Sequence, residues 1–209
     1  MAVGATRREE GAALEAWLKR ALAHVAGRAP SSDFDLDPDQ APPRANPIPA
    51  AVLVPVMVGE VPQIRLTRRS PALRHHPGQI AFPGGRIDPE DRDPVAAALR
   101  EAEEEIGLPP PSARILGTLP PHRTVTGYHV TPVLALVAPF APHPEAKEVA
   151  EVFDVPLSFL ADPARYRVEG RRWRGRRRHY HVVPWGPYYI WGATARMLRQ
   201  LADGLAATR

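Results

Sequence analysis

The sequence predicts an α/β sandwich, a mixed sheet with helices on both sides, and three observations predict it. Short apolar runs of strand length stand at residues 50–58, 61–67, 79–82, 113–119 and 130–138. A helix with clear start and stop signals lies among them at 94–106, and an amphipathic helix at 187–205 closes the chain. Strands interleaved with helices require both faces of the sheet to be covered, and 209 residues suffice for one such core without a disulfide or a structural metal.

Taken in order, residues 11–25 place Leu14, Leu18, Ala21 and Leu22 at helical spacing, which predicts an amphipathic helix ending near Gly27. The Asp- and Pro-rich stretch 29–49 has little to bury and reads as a surface connector. Residues 1–45 are therefore expected to form an N-terminal helix and linker, and 46–209 the globular domain. Gly59-Glu60 turns the first apolar run into the second, a hairpin. In the helix 94–106, Asp93 is the N-cap, Pro94 the first helical residue, and Gly107 followed by Pro109 the stop. The closing helix is given Ile190, Ala193, Met197, Leu198 and Leu201 as its core stripe.

Composition excludes several classes of function. Cysteine is absent, which removes disulfide scaffolds, thiol nucleophiles and cysteine-based zinc sites. No run approaches the ~18 apolar residues of a membrane helix, and the N-terminus lacks an apolar signal region, so the expectation is a cytoplasmic protein with no membrane partner. The net charge of +4 comes almost wholly from arginine, Lys19 and Lys147 being the lysines. Arginine is the better fork for phosphate oxygens, although the same bias accompanies a GC-rich genome.

The helix 94–106 breaks local rules. Advancing about 100° per residue brings Val95, Leu99, Ala102 and Ile106 together as a core face, and Glu101, Glu104 and Glu105 onto another. Glu101 has Ala97 and Glu105 at its i±4 positions, so it meets a like charge and no cation. The acids also crowd the C-terminal half, where the helix dipole disfavours them. Glu104 alone has a local partner, Arg100. Uncompensated violations of this kind mark functional sites, and a hard divalent cation with oxygen ligands would supply the missing positive charge. Just upstream, Phe82-Pro83-Gly84-Gly85 reads as a loop whose glycines let the backbone approach an ion or phosphate closely.

These residues resemble a known family. Arg100-Glu101-Ala102-Glu103-Glu104-Glu105-Ile106-Gly107-Leu108, with Gly85 upstream, is similar to the Nudix box. The interval from Gly85 to Arg100 is one residue longer than in the general box, which leaves Glu90 or Asp91 as its intermediate acid. Thr67-Arg68-Arg69-Ser70, Arg74, Gly78 and the Phe82–Gly85 stretch resemble the additional signature of the coenzyme A pyrophosphatase branch. Segments 148–157 and 190–194 are similar to the same branch, so the likeness spans about residues 48–203.

The resemblance implies a Nudix-type α/β/α sandwich and metal-dependent hydrolysis of a nucleoside diphosphate linked to another group. It implies Mg²⁺ or Mn²⁺ on Glu101, Glu104, Glu105 and the Gly85 carbonyl, with Arg100 orienting the glutamates. Glu101 or Glu148 would be the general base; Glu148 could equally be a surface acid starting a helix. Arg68, Arg69 and Arg74 are the expected substrate contacts, with His75 and His76 as further donors. Coenzyme A would yield 3′,5′-ADP and 4′-phosphopantetheine. ADP-ribose or dinucleotide hydrolysis is the rival within the class, and a Nudix-fold RNA-binding module the rival outside it. The family also suggests a homodimer. The segment 165–178 holds eight arginines with Tyr166 and Trp173 interleaved and Tyr180 just beyond; a solvated hairpin around Gly175 is preferred there to a nucleic-acid site.

Overall fold

Two long apolar strands, β2 (Ile48–Met57) and β8 (Tyr128–Val137), run parallel through the middle of the protein, paired residue for residue from Ile48↔Tyr128 to Met57↔Val137. Parallel strands covered on both faces read as nearly continuous apolar runs. Along β2 successive side chains alternate sides: Val54 and Val56 enter one apolar cluster, Ala51, Leu53 and Met57 the other. The computed structural model describes residues 2–42, 46–173 and 175–209; residues 43–45 of the connector and Arg174 of the arginine cluster lie outside the described residues.

Around this pair the chain adds helix α1 (Ala2–Val25), β1 (Ser31–Ser32), β3 (Gln63–Arg69), β4 (Ile80–Ala81), β5 (Gly84–Arg86) and helix α2 (Pro94–Ile106). There follow β6 (Ala113–Thr118), β7 (His122–Arg123), β9 (Val149–Pro156), the short α3 (Leu157–Leu160), β10 (Arg167–Trp173), β11 (Arg176–Trp185), β12 (Tyr188–Trp191) and helix α4 (Gly192–Ala207). The larger, mixed sheet runs β1-β7-β8-β2-β3-β4, with β5 paired to β2, β6 to β8 and β9 to β3; β10, β11 and β12 form a separate antiparallel sheet. This is the expected α/β sandwich. Pro55 falls where β2 passes from pairing with β5 at residues 50–52 to pairing with β3 at 56–57, a gap in which its missing N–H costs no ladder bond on that side.

One face of the sheet is closed by α2 through Ala97, Ala98, Ala102 and Ile106 against Leu53, Val133 and Ala135. The other is closed by α1 and α4, where Leu18, Leu22 and Val25 share a core with Leu198, Leu201 and Leu205. The two helices approach closely at Gly204, where an added Cβ would stand 2.6 Å from the Ala21 carbonyl oxygen, and the Trp17 indole donates to the Leu205 carbonyl at 3.1 Å. None of the helices among the described residues is long and apolar enough to cross a membrane.

Several expected elements differ. The closing helix begins at Gly192, not 187, because Tyr188–Trp191 pairs with Val182–Trp185 and becomes a strand; Ile190 is buried from that strand rather than from a helical stripe. The expected strand 79–82 shrinks to Ile80–Ala81, and Gly84-Gly85, read as a loop, is itself a strand paired with Ala51 and Val52. The N-terminal helix starts well before residue 11. The connector carries a strand, β1, that pairs with His122 and Arg123. Glu148 precedes β9, not a helix.

Candidate active site

Helix α2 is fixed at both ends by its own sequence. The Asp93 carboxylate accepts from the Ala96 N–H at 2.8 Å, Pro94 occupies the first turn, and Gly107 takes the left-handed conformation (φ 67°) that ends the helix. The buried alanines fix its rotation on the sheet. Glu101 and Glu105, one turn apart, therefore face β5.

Gly84 and Gly85 are needed there. The Gly84 N–H donates to Glu105 Oε2 at 3.1 Å, while its positive φ and the overlap that a Cβ would make with the Ala51 carbonyl restrict the position to glycine. A Cβ on Gly85 would lie 2.5 Å from Glu101 Oε1, so the carboxylate rests where any other side chain would begin. Burial leaves the Glu105 side chain 5% exposed. That burial is the largest cause of a pKa pushed up to about 8; the Gly84 N–H and Arg69 oppose it, and the negative charges of Glu101 and Glu148 add to it. Burial likewise raises Glu101, against the pull of Arg100 and with the push of Glu104 and Glu148.

Arg100 is the organiser of the outer rim. Its Nε and Nη2 grip the Asp91 carboxylate at 3.2 and 2.9 Å, and Nη1 donates to Glu101 Oε1 at 3.0 Å and to Glu104 Oε2 at 3.2 Å. Nη2 also donates to the Arg86 carbonyl at 3.2 Å, tying the helix to β5. The bond to Arg100 holds the Asp91 carboxyl below its ordinary value. Of the two acids the sequence left open, Asp91 is thus the one joined to Arg100, while Glu90 is exposed.

The remaining predicted residues divide. Arg69 reaches the acid pair, its Nη1 at 3.9 Å from Glu105 Oε1, and its Nε is buried without a partner. Arg68, next along β3 and so directed to the opposite face, instead pairs with Glu151 at 2.9 Å. Glu151 also accepts from the Tyr188 hydroxyl at 2.7 Å, and the Tyr188 ring stacks on Phe153 at 3.7 Å; this group was not anticipated. Arg74, His75 and His76 lie on the exposed turn before β4. Glu148 is exposed, but its backbone is anchored: its carbonyl accepts from the Ser70 N–H and its N–H donates to the Glu145 carbonyl, while the Glu145 N–H donates to the Glu105 carbonyl. Glu104 points outward beside Arg100, 60% exposed.

Among the described residues, no three His, Asp or Glu side chains are closed together at metal-holding distances. The donor chemistry nonetheless fits a hard divalent cation: Glu105 and Glu101 offer only oxygens, burial raises both carboxyls despite Arg69 and Arg100 beside them, and Glu148 adds to the same negative field.

A mixed sheet with an acid-bearing helix set against a glycine strand is the arrangement this chain brings to a comparison with known proteins. The model of the NUDIX domain matches residues 47–181. A protein named "Uncharacterized Nudix hydrolase NudL" from Escherichia fergusonii is 44% identical over 154 residues, covering 73% of this chain and 80% of its own. Its namesake from Cronobacter sakazakii is 42% identical over 168 residues, covering 80% and 88%. Among solved structures, a MutT/nudix family protein from Enterococcus faecalis shares the fold, with TM-score 0.50 and 14% identity over 80% of this chain and 65% of that one. The chain belongs to the Nudix family of hydrolases, whose members generally use divalent metal ions.

Proposed function

We propose that the protein is a pyrophosphohydrolase dependent on Mg²⁺ or Mn²⁺ that cleaves coenzyme A or acyl-coenzyme A to 3′,5′-ADP and 4′-phosphopantetheine or its acyl form. The observation that carries the hydrolytic reading is Glu105, buried against the Gly84 N–H beside Glu101, with Arg69 over it offering an unpartnered Nε. The choice of coenzyme A is supported by the arginine-bearing signature from Thr67 to Gly85.

In this reading Glu101 and Glu105 hold the cation, Glu104 joins from the rim, and the Gly85 carbonyl is a further ligand. When bound, the ion neutralises charge developing on the phosphoryl oxygens and makes water a better nucleophile. The protein's own groups do the rest. Water attacks one phosphorus, the bridging P–O bond breaks, and the water proton passes to Glu101 or Glu148. Arg100, held by Asp91, fixes the Glu101 carboxylate and is a positioning residue. Arg69 binds a non-bridging phosphate oxygen through its guanidinium, and Arg74, on the exposed turn before β4, serves the more distant anionic groups of the substrate.

The test is product analysis with coenzyme A, with and without Mg²⁺. Metal-dependent appearance of 3′,5′-ADP is expected, and faster turnover of ADP-ribose or NADH than of coenzyme A would overturn the substrate assignment. Comparing E148Q with E101Q assigns the base.

A further inference from the structure

The hairpin of β10 and β11 closes at Gly175, whose φ of 82° makes the turn. Its register sets Arg171 opposite Arg178 and Arg172 opposite Arg177. Like charges directly opposite on adjacent strands repel, so two successive rungs of this ladder oppose the pairing that forms them. Arg178 is relieved: it lies over the Phe34 ring at 4.9 Å and donates to the Asp33 carbonyl. Arg171, Arg172, Arg176 and Arg177 are exposed, and among the described residues no carboxylate pairs with them. The hairpin's own acid, Glu169, accepts instead from the Tyr189 hydroxyl at 2.7 Å.

The nearby acidic strap does not neutralise this end. Asp33 meets His122, Asp35 meets Arg196, and Asp37 accepts from both the backbone and the ring of His179, while Gln40 caps the Arg177 carbonyl. These contacts hold the root of the hairpin rigidly and leave its outer half positive. Tyr180, Trp191 and the exposed Tyr189 stand near that root on the face of Arg171 and Arg176, while Arg172 and Arg177 take the other face of the ribbon. Among the described side chains the exposed arginines are accompanied by no run of apolar groups that could enter a bilayer; Val168 is an exposed large hydrophobic on β10.

We infer that this hairpin is a nucleic-acid docking element, gripping a phosphate backbone through Arg171, Arg172, Arg176 and Arg177 and separate from the hydrolytic site. Arginine forks on a stiff ribbon match phosphate oxygens, and sequence-independent binding of this kind depends steeply on salt. The solvated-hairpin reading does not account for cation facing cation on consecutive rungs.

The full chain is titrated against a fluorescein-labelled single-stranded RNA and a labelled DNA duplex at several salt concentrations, following anisotropy. Binding is expected, with log K falling against log salt by about 3 for four contacts on a single strand. The variant R172A/R177A should lose roughly half of that slope while its turnover and KM with coenzyme A match the parent. The two nucleic acids distinguish single strand from duplex as the natural form. The inference is overturned by salt-insensitive or absent binding, by a variant that binds as the parent does, by capture on phosphatidylserine vesicles in preference to either nucleic acid, or by a raised KM that returns these arginines to the small-substrate site.

Discussion

Replacing Glu105 with glutamine separates the cost of the buried carboxylate from its use. In the metal-free protein the folded-state pKa of about 8 lies above the ordinary 4.5. Between those values the native chain binds more protons than the unfolded one, so stability falls as pH rises through that window. At pH 7 the penalty has a ceiling of about 3 kcal/mol at 1.36 kcal/mol per pH unit. The glutamine amide can still accept from the Gly84 N–H, but its NH₂ group offsets about 1–2 kcal/mol for want of a partner. E105Q should therefore gain about 1–2 kcal/mol, or about 2–8 °C in Tm for a chain of this size, when melted in chelator at pH 7–8. The gain should pass through zero and turn into a loss of about 1–2 kcal/mol as pH approaches 4.5, where only the unpartnered NH₂ remains. Saturating Mg²⁺ should then raise the Tm of the parent and leave that of E105Q nearly unchanged, with turnover of the variant reduced by orders of magnitude. An equal Tm difference at both ends of the pH range, or equal stabilisation of both proteins by Mg²⁺, would refute the reasoning.

Three further outcomes follow from the geometry. E101Q should lower kcat by about 10²–10⁴-fold if Glu101 takes the proton, with an unchanged circular dichroism spectrum; near-parent turnover removes it from the chemistry. D91A frees Arg100 from its strongest partner and should cost about 10–100-fold in activity or metal affinity, whereas E90A should leave both intact; equal effects would undo the assignment of Asp91. R69A removes a charge-assisted contact of about 1.5–3 kcal/mol, which predicts a roughly ten- to hundredfold rise in KM, and steady-state kinetics with an unaltered KM would take Arg69 out of the site.

The parts legible in the sequence are those set by short-range rules. Helix α2 could be read to the residue because Asp93, Pro94 and Gly107 are local signals, and the grouping of Glu101 with Glu105 because helical angle follows from position alone, although Glu104, grouped with them by the same rule, points outward beside Arg100. Residues 188–191 show the opposite. Tyr-Tyr-Ile-Trp leads into a helical stripe with a single glycine, Gly192, between them, and pairing with 182–185 makes it a strand. The choice between Glu90 and Asp91 rested on a turn in which the Asp91 N–H donates to the Asp88 carbonyl and its carboxylate accepts from the Asp88 N–H; that geometry turns Asp91 back towards the helix. The divergence of Arg68 and Arg69 was available from strand alternation, but the partners that separate them, Glu151 and Glu105, come from distant segments. Glu151 and Phe153 stood in a segment of family likeness, but nothing in it pointed to Tyr188, since their meeting brings β12 beside β9.

The snug seating of α1 on α4 at Gly204 has a consequence for how this protein can be divided. The stretch recognisable as Nudix ends at residue 181 and starts at 47, yet the flank of the sheet away from the acids is roofed by helices that both lie beyond those limits. Excision of the recognisable stretch would strip that roof and bare Val54, Val56, Leu134 and Leu136 to water. The smallest piece able to stand alone is thus larger than residues 47–181, because α1 and α4 complete the core on that flank.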